Sequence, residues 1–142
     1  MPTKILYQTS GTATGDGRNG HVAVDDGSFA ADLSVPKELG GPGGEGLNPE
    51  KMFALGYAAC FNSALRHYAT AQKVKLPADS SVQVQVGIGP RDDGGFGLAV
   101  GIKVALPGMD REQAQSLIEG AHQVCPYSNA TRGNLAITPE LV

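Results

Sequence analysis

Hydrophobic and polar positions alternate along this chain with two different periods, and the change of period marks out its elements. Val82, Val84, Val86 and Ile88 recur every second residue, as do Phe96, Leu98, Val100, Ile102, Val104 and Leu106. Such alternation predicts two long strands, each with one face turned to a core. Arg91-Asp92-Asp93-Gly94-Gly95 between them predicts a hairpin. A weaker alternation at Phe29, Ala31, Leu33 and Val35 predicts a strand nearer the amino terminus. Residues 3–9 and 21–24 read as two strands before it, around the turn Gly15-Asp16-Gly17-Arg18-Asn19-Gly20. Leu135 and Ile137 predict a last short strand.

Elsewhere the period is helical. Asn48-Pro49-Glu50 supplies an N-cap, a proline at the first helical position and an acid in the first turn. The helix it opens is predicted to reach about Gln72, before Pro77, and it follows a glycine loop at residues 40–46. Phe53, Tyr57, Cys60, Ala64 and Tyr68 fall near one face of it, beside a patch of small residues at Gly56, Ala59, Cys60 and Ser63. Asp110 with Gln113 resembles a capping box that starts a second helix. Ala114, Ile118, Ala121 and Cys125 form its buried stripe, and Pro126 stops it. The order β-β-β-α-β-β-α-β has hairpins where parallel crossovers would stand, which predicts an α+β fold with antiparallel sheets.

Composition narrows the function classes. The 142 residues are expected to form a single domain, 1–142, able to bury a core without a disulfide. Eleven basic against fourteen acidic residues, net charge -3, give no electrostatic reason to expect nucleic acid or an anionic membrane as partner. No apolar run approaches the roughly 20 residues of a membrane-spanning helix. The first residues turn polar too early for a signal peptide, so a cytoplasmic location is expected.

The candidate chemistry lies in the two cysteines, Cys60 and Cys125. Both fall on apolar helical stripes, so both are expected to face inward. That leaves several readings open: buried thiols acting as small hydrophobes, a structural disulfide, a metal site or a redox pair. A disulfide here would close a loop of about 65 residues and contribute about 4 kcal/mol in the chain-entropy model. His67 and His122 stand near the two cysteines, but seven helical residues span about 10 Å, so Cys60 and His67 do not readily share one ion.

A reactive thiol must be ionised, and a free one titrates at about 8.5. Cys60 stands too deep in its helix for the helix dipole to help. The basic residues of that helix are Lys51 and Arg66, and Arg66 points from another face. Arg18, in the glycine-rich turn, is the better candidate cation. Gly15, Gly17 and Gly20 also fit a G-x-G-x-x-G pattern, but a strand and not a helix is predicted to follow, so the dinucleotide reading is rejected.

The segments GGPGGEGLNPEKMFALGYAACF (residues 40–61) and AHQVCPYSNATRGN (residues 121–134) closely resemble the bacterial organic hydroperoxide resistance proteins, a branch of the OsmC group. GDGRNGHV near the amino terminus fits as well, and Cys-Pro-Tyr-Ser-Asn-Ala favours the hydroperoxide-resistance branch, since the OsmC branch typically carries Cys-Pro-Val-Ser there. The resemblance implies an OsmC-like fold, with antiparallel sheets around a long central helix, assembled as an intertwined homodimer. It implies a thiol peroxidase that reduces alkyl or fatty-acid hydroperoxides to alcohols. Cys60 matches the peroxidatic cysteine and Cys125 the resolving one. Arg18 matches the activating arginine, and Glu50 the carboxylate that holds it.

The implied reductant is a lipoyl dithiol on a carrier protein, with no bound metal, flavin or haem. Glu50 lies ten helical residues, about 15 Å, before Cys60, so either Arg18 bridges them or Glu50 acts across a dimer interface. Phe53, Tyr57, Phe61, Val124 and Tyr127 suggest an apolar substrate pocket, although the same side chains would serve as core. A redox-sensing module on the same fold would form the same disulfide without rapid turnover.

Overall fold

The alternating and helical patterns become strands and helices in the computed structural model, which describes residues 1–142. The chain divides into two units, Met1–Pro49 and Glu50–Val142.

In the first unit β1 (Gly11–Thr14), β2 (His21–Val24) and β3 (Ala30–Asp32) form an antiparallel meander in the order β1-β2-β3. The predicted strand at 21–24 is found, and the third is shorter than its alternation suggested. The strand predicted at 3–9 is not there: pairing begins at Gly11. The reason lies in β2, whose four residues are all used by Gly11–Thr14 before the chain turns at Asp25. The Asp25 carboxylate accepts hydrogen bonds from Ser10 and Thr12, 2.6 and 2.7 Å, and these fix where β1 begins. Ile5, Leu6 and Tyr7 are consecutive rather than alternating and remain exposed. The turn between β1 and β2 contains a single 3-10 turn, Gly17–Asn19, which carries the half-buried Arg18. Gly20 is needed there, because a Cβ would run into the Thr14 carbonyl.

The second unit contains the main core. α1 (Pro49–Ala71) starts at the predicted proline and ends one residue short of the predicted Gln72. β4 (Ser81–Pro90) and β5 (Phe96–Ala105) form the predicted hairpin, with Val84 opposite Ile102 and Val82 opposite Val104. α2 (Arg111–Val124) begins where the Asp110 carboxylate accepts from the Gln113 backbone N–H at 3.0 Å. Tyr57, Phe61 and Leu65 of α1, Ile102 and Val104 of β5, and Ile118, Ala121 and Cys125 around α2 share one core. Gly120 allows α2 to approach α1, since a Cβ there would overlap the Tyr68 ring.

Two elements differ from expectation. Pro126 does stop α2, but it also opens a short helix, α3 (Pro126–Thr131), in which it occupies the first turn. The last strand is β6 (Glu140–Leu141), later than the expected Leu135 and Ile137, and it pairs parallel to β5. Both sheets were expected to be antiparallel. The parallel pairing follows from connectivity, because β5 leads to β6 through the helices α2 and α3, a crossover instead of a hairpin. Leu135 cannot yet join the sheet, since its N–H is bonded to the Thr131 carbonyl at the end of α3. The result is a mixed α/β chain with two three-stranded sheets.

Candidate active site

Helical periodicity places Cys60 on the α1 face that looks toward α2 and α3, and there it meets Cys125. The two are free thiols whose sulfurs lie 3.7 Å apart, with the Cys125 S–H directed at Cys60. A disulfide needs about 2.0 Å, so they are neighbours and not bonded. Their exposure differs: Cys60 is half-buried, whereas Cys125 is 0% exposed. The inward-facing expectation therefore holds fully for Cys125 and partly for Cys60.

Burial pushes the Cys60 thiol above its ordinary value, and the adjacent Cys125 pushes it the same way, since two neighbouring sulfurs resist both being anions. The Tyr127 backbone N–H, in the first turn of α3, hydrogen-bonds the sulfur and works against that rise. Within this unit burial is the larger effect, so a thiolate here needs a cation to favour it. Arg66 is turned to Ser80 at 3.3 Å, Arg91 to Asp93 at 2.8 Å, and Arg132 to the His122 carbonyl at 2.8 Å. Arg18 lies in the first unit's glycine-rich turn, and Glu50 in the first turn of α1.

The aromatic candidates divide by exposure. Tyr57 and Phe61 are fully buried in the core, Phe53 is half-buried, and Tyr127 is 42% exposed. Phe53 meets Tyr57 edge-on with centroids 6.0 Å apart, and Tyr57 meets Tyr127 at 5.7 Å. Gly56 makes room for this, as a Cβ there would come within 3.3 Å of the Tyr127 ring. With exposed Val124, these side chains give the neighbourhood of the thiols an apolar character.

A polar chain beside the thiols, buried at Tyr57 and Ser128 and half-buried at His122, was not expected from the sequence. Ser128 Oγ lies 2.8 Å from the Tyr57 hydroxyl and 2.8 Å from His122 Nδ1. The Tyr57 hydroxyl is also 3.3 Å from Thr131 Oγ1. Burial, and then the positive charge of Arg132, hold His122 below the ordinary imidazole value, which favours its neutral form. The one available signal was that His122 and Ser128 bracket the Cys125-Pro126 corner; Tyr57 is 71 residues away in sequence. His, Cys, Asp and Glu side chains do not gather in threes or more as a metal-binding group, and no helix is long and apolar enough to cross a membrane.

Comparison with known proteins places these residues in context. Residues 41–140 match the family described as OsmC-like protein. The chain is 53% identical over 137 residues to the organic hydroperoxide resistance protein of Xanthomonas axonopodis pv. citri, covering 96% of this chain and 95% of that one. The crystal structure of an organic hydroperoxide resistance protein from Elizabethkingia anophelis superposes with a TM-score of 0.92 at 49% identity, covering 98% of each chain. That of OhrB from Bacillus subtilis superposes with a TM-score of 0.87 at 42% identity, covering 97% of this chain and 100% of that one.

Proposed function

The chain belongs to the OsmC-like family, in its organic hydroperoxide resistance branch, and we propose that it is a thiol peroxidase converting organic hydroperoxides to alcohols. The observation that carries this reading is the unequal pair of free thiols 3.7 Å apart. A peroxide can reach the half-buried Cys60, and the buried Cys125 waits behind it.

The Cys60 thiolate attacks the terminal peroxide oxygen. The O–O bond breaks, the alkoxide leaves and takes up a proton as alcohol, and Cys60 becomes a sulfenic acid. Cys125 then attacks that sulfur. The S–OH oxygen departs as water with the Cys125 proton, and a Cys60–Cys125 disulfide remains. An external dithiol restores both thiols by exchange. It attacks Cys60, the sulfur with exposure, so Cys125 is the leaving group.

Arg18 supplies the cation that burial of Cys60 calls for, and it hydrogen-bonds the peroxide as charge moves onto oxygen. Glu50 holds Arg18. Phe53, Tyr57, Phe61 and Tyr127 form the apolar side of the site, which favours alkyl and fatty-acid hydroperoxides. The reductant is a lipoyl dithiol on a carrier protein. The protein works in the cytoplasm as a homodimer, and the exposed Ile5, Leu6 and Tyr7 support an assembly that covers them.

The test is steady-state consumption of tert-butyl or fatty-acid hydroperoxide, with dihydrolipoamide or thioredoxin as reductant and hydrogen peroxide as rival oxidant. Fast turnover is expected with organic hydroperoxide and dihydrolipoamide. No turnover by the reduced protein with any pair would sink the reading.

A further inference from the structure

On the peroxidase reading, Cys125 must strike the Cys60 sulfenic acid before a second hydroperoxide does. We infer that the hydrogen-bond chain Tyr57–Ser128–His122 is a positioning device for that step. It holds the corner between α2 and α3, and with it Cys125, against the α1 face that carries Cys60.

Cys125 belongs to neither helix fully: it ends α2 and caps α3, with backbone angles φ -68° and ψ 123°. Its N–H donates to the Ala121 carbonyl, and its carbonyl accepts from Asn129 N–H, both at 2.9 Å. Such a corner is a natural hinge. Across it, His122 from the last turn of α2 meets Ser128 from the first turn of α3 at 2.8 Å. Arg132, just past α3, braces the same turn by donating to the His122 carbonyl at 2.8 Å.

Ser128 also binds the Tyr57 hydroxyl at 2.8 Å, which ties the corner to α1. Tyr57 precedes Cys60 by three residues, so both lie on one face of α1, one turn apart. Tyr57–Ser128 and Cys60–Cys125 are therefore adjacent rungs between α1 and the corner, with Tyr57–Thr131 at 3.3 Å and the Tyr127 N–H on the Cys60 sulfur as weaker ties beside them. Ser128 and Tyr57 are each 0% exposed, so water cannot replace either partner when one is removed. A serine hydroxyl has one proton, so it donates along the chain in one direction and accepts from the other.

With the polar rung intact, the corner has little freedom, and Cys125 needs only to close the gap from 3.7 Å to the bond length. With the rung broken, the corner can swing, and the sulfenic acid lasts longer. A second hydroperoxide then transfers its terminal oxygen to that sulfur and leaves as alcohol, giving a sulfinic acid that the dithiol cannot reduce.

The experiment exposes the reduced full-length protein to increasing cumene hydroperoxide with dihydrolipoamide present, and measures Cys60 as disulfide or sulfinic acid by peptide mass spectrometry. Both fates start from the same sulfenic acid, so a change in the rate of its formation cancels. Ser128→Ala should lower the hydroperoxide concentration that converts half of Cys60 to sulfinic acid about tenfold, equivalent to about 1.4 kcal/mol. His122→Ala should move it the same way. His122→Asn, which places an amide near the position of Nδ1, should restore most of the difference. If Ser128→Ala and His122→Ala partition within about twofold of the parent while losing thermal stability, the chain is only a structural support and the inference falls. If the parent protein forms no disulfide under hydroperoxide, the peroxidase reading itself falls and takes the inference with it.

Discussion

Cys60 and Cys125 reach the same place by different means. Cys60 rides in the middle of a 23-residue helix, where its position is set by α1 as a whole. Cys125 sits at the junction of two helices, where its N–H and carbonyl are still paired but its backbone is extended, φ -68° and ψ 123°. Exposure differs in parallel, half-buried against wholly buried. The long helix carries the more exposed thiol, and the junction of two helices carries the buried one. The proposed cycle, in which the pair bonds and separates at each turnover, would use that difference.

The largest effects should come from the thiols themselves. Cys60→Ser should lower hydroperoxide consumption by at least about 10³-fold. Cys125→Ser should still yield one alcohol per chain as Cys60 becomes a sulfenic acid and a second as it advances to sulfinic acid, and then stop. Equal loss of that first turnover in both variants would break the comparison.

Next comes Arg18. Its replacement by Ala should slow Cys60 oxidation about 10²-fold, the usual effect of removing one charged stabiliser. If Arg18 is the cation, as proposed, the variant also leaves the effect of burial unopposed. The midpoint of Cys60 alkylation against pH should then lie above the ordinary thiol value, because burial and Cys125 both push it up. A midpoint that does not move on replacing Arg18 would mean that the thiolate is favoured by something else.

Packing predictions are smaller and sharpen the contrast between helix and corner. Gly120→Ala inserts a Cβ into the Tyr68 ring and should cost about 1–3 kcal/mol in denaturant unfolding. Gly56→Ala meets only the tip of the exposed Tyr127 ring, which can turn away, and should cost less.

The smallest effect is an acid one. His122 is held below the ordinary imidazole value when folded, so it contributes stability that is fully present above about pH 6.5. That contribution should fade as pH falls through the lower, folded value and His122 is forced to charge. Melting temperature measured from neutral to acid pH should therefore decline more steeply in the parent than in His122→Asn.

Much of this was legible in the chain because its signals were periodic and local. The alternation from Val82 to Ile88 and the proline entry at Pro49 both became elements at the expected places. Cys60 and Cys125 could be set facing inward by counting helical turns, and the 3.7 Å between them agrees. What escaped depended on partners. Whether residues 3–9 pair is decided by the length of β2, and where β6 begins is decided by when the chain leaves α3. Pro126 carries two meanings, end of one helix and start of the next, and only the first is expected from the sequence. The Tyr57–Ser128–His122 chain joins residues that no local window contains.

Whether the two thiols act in succession in one oxidation can be read without any reductant. Fully reduced protein is mixed with one equivalent of organic hydroperoxide, and alcohol, free thiol and disulfide are quantified together. The expected result is one alcohol per chain, loss of both thiols, and a single intramolecular Cys60–Cys125 disulfide. Alcohol formed while Cys125 stays a free thiol, or no alcohol at all, would contradict it.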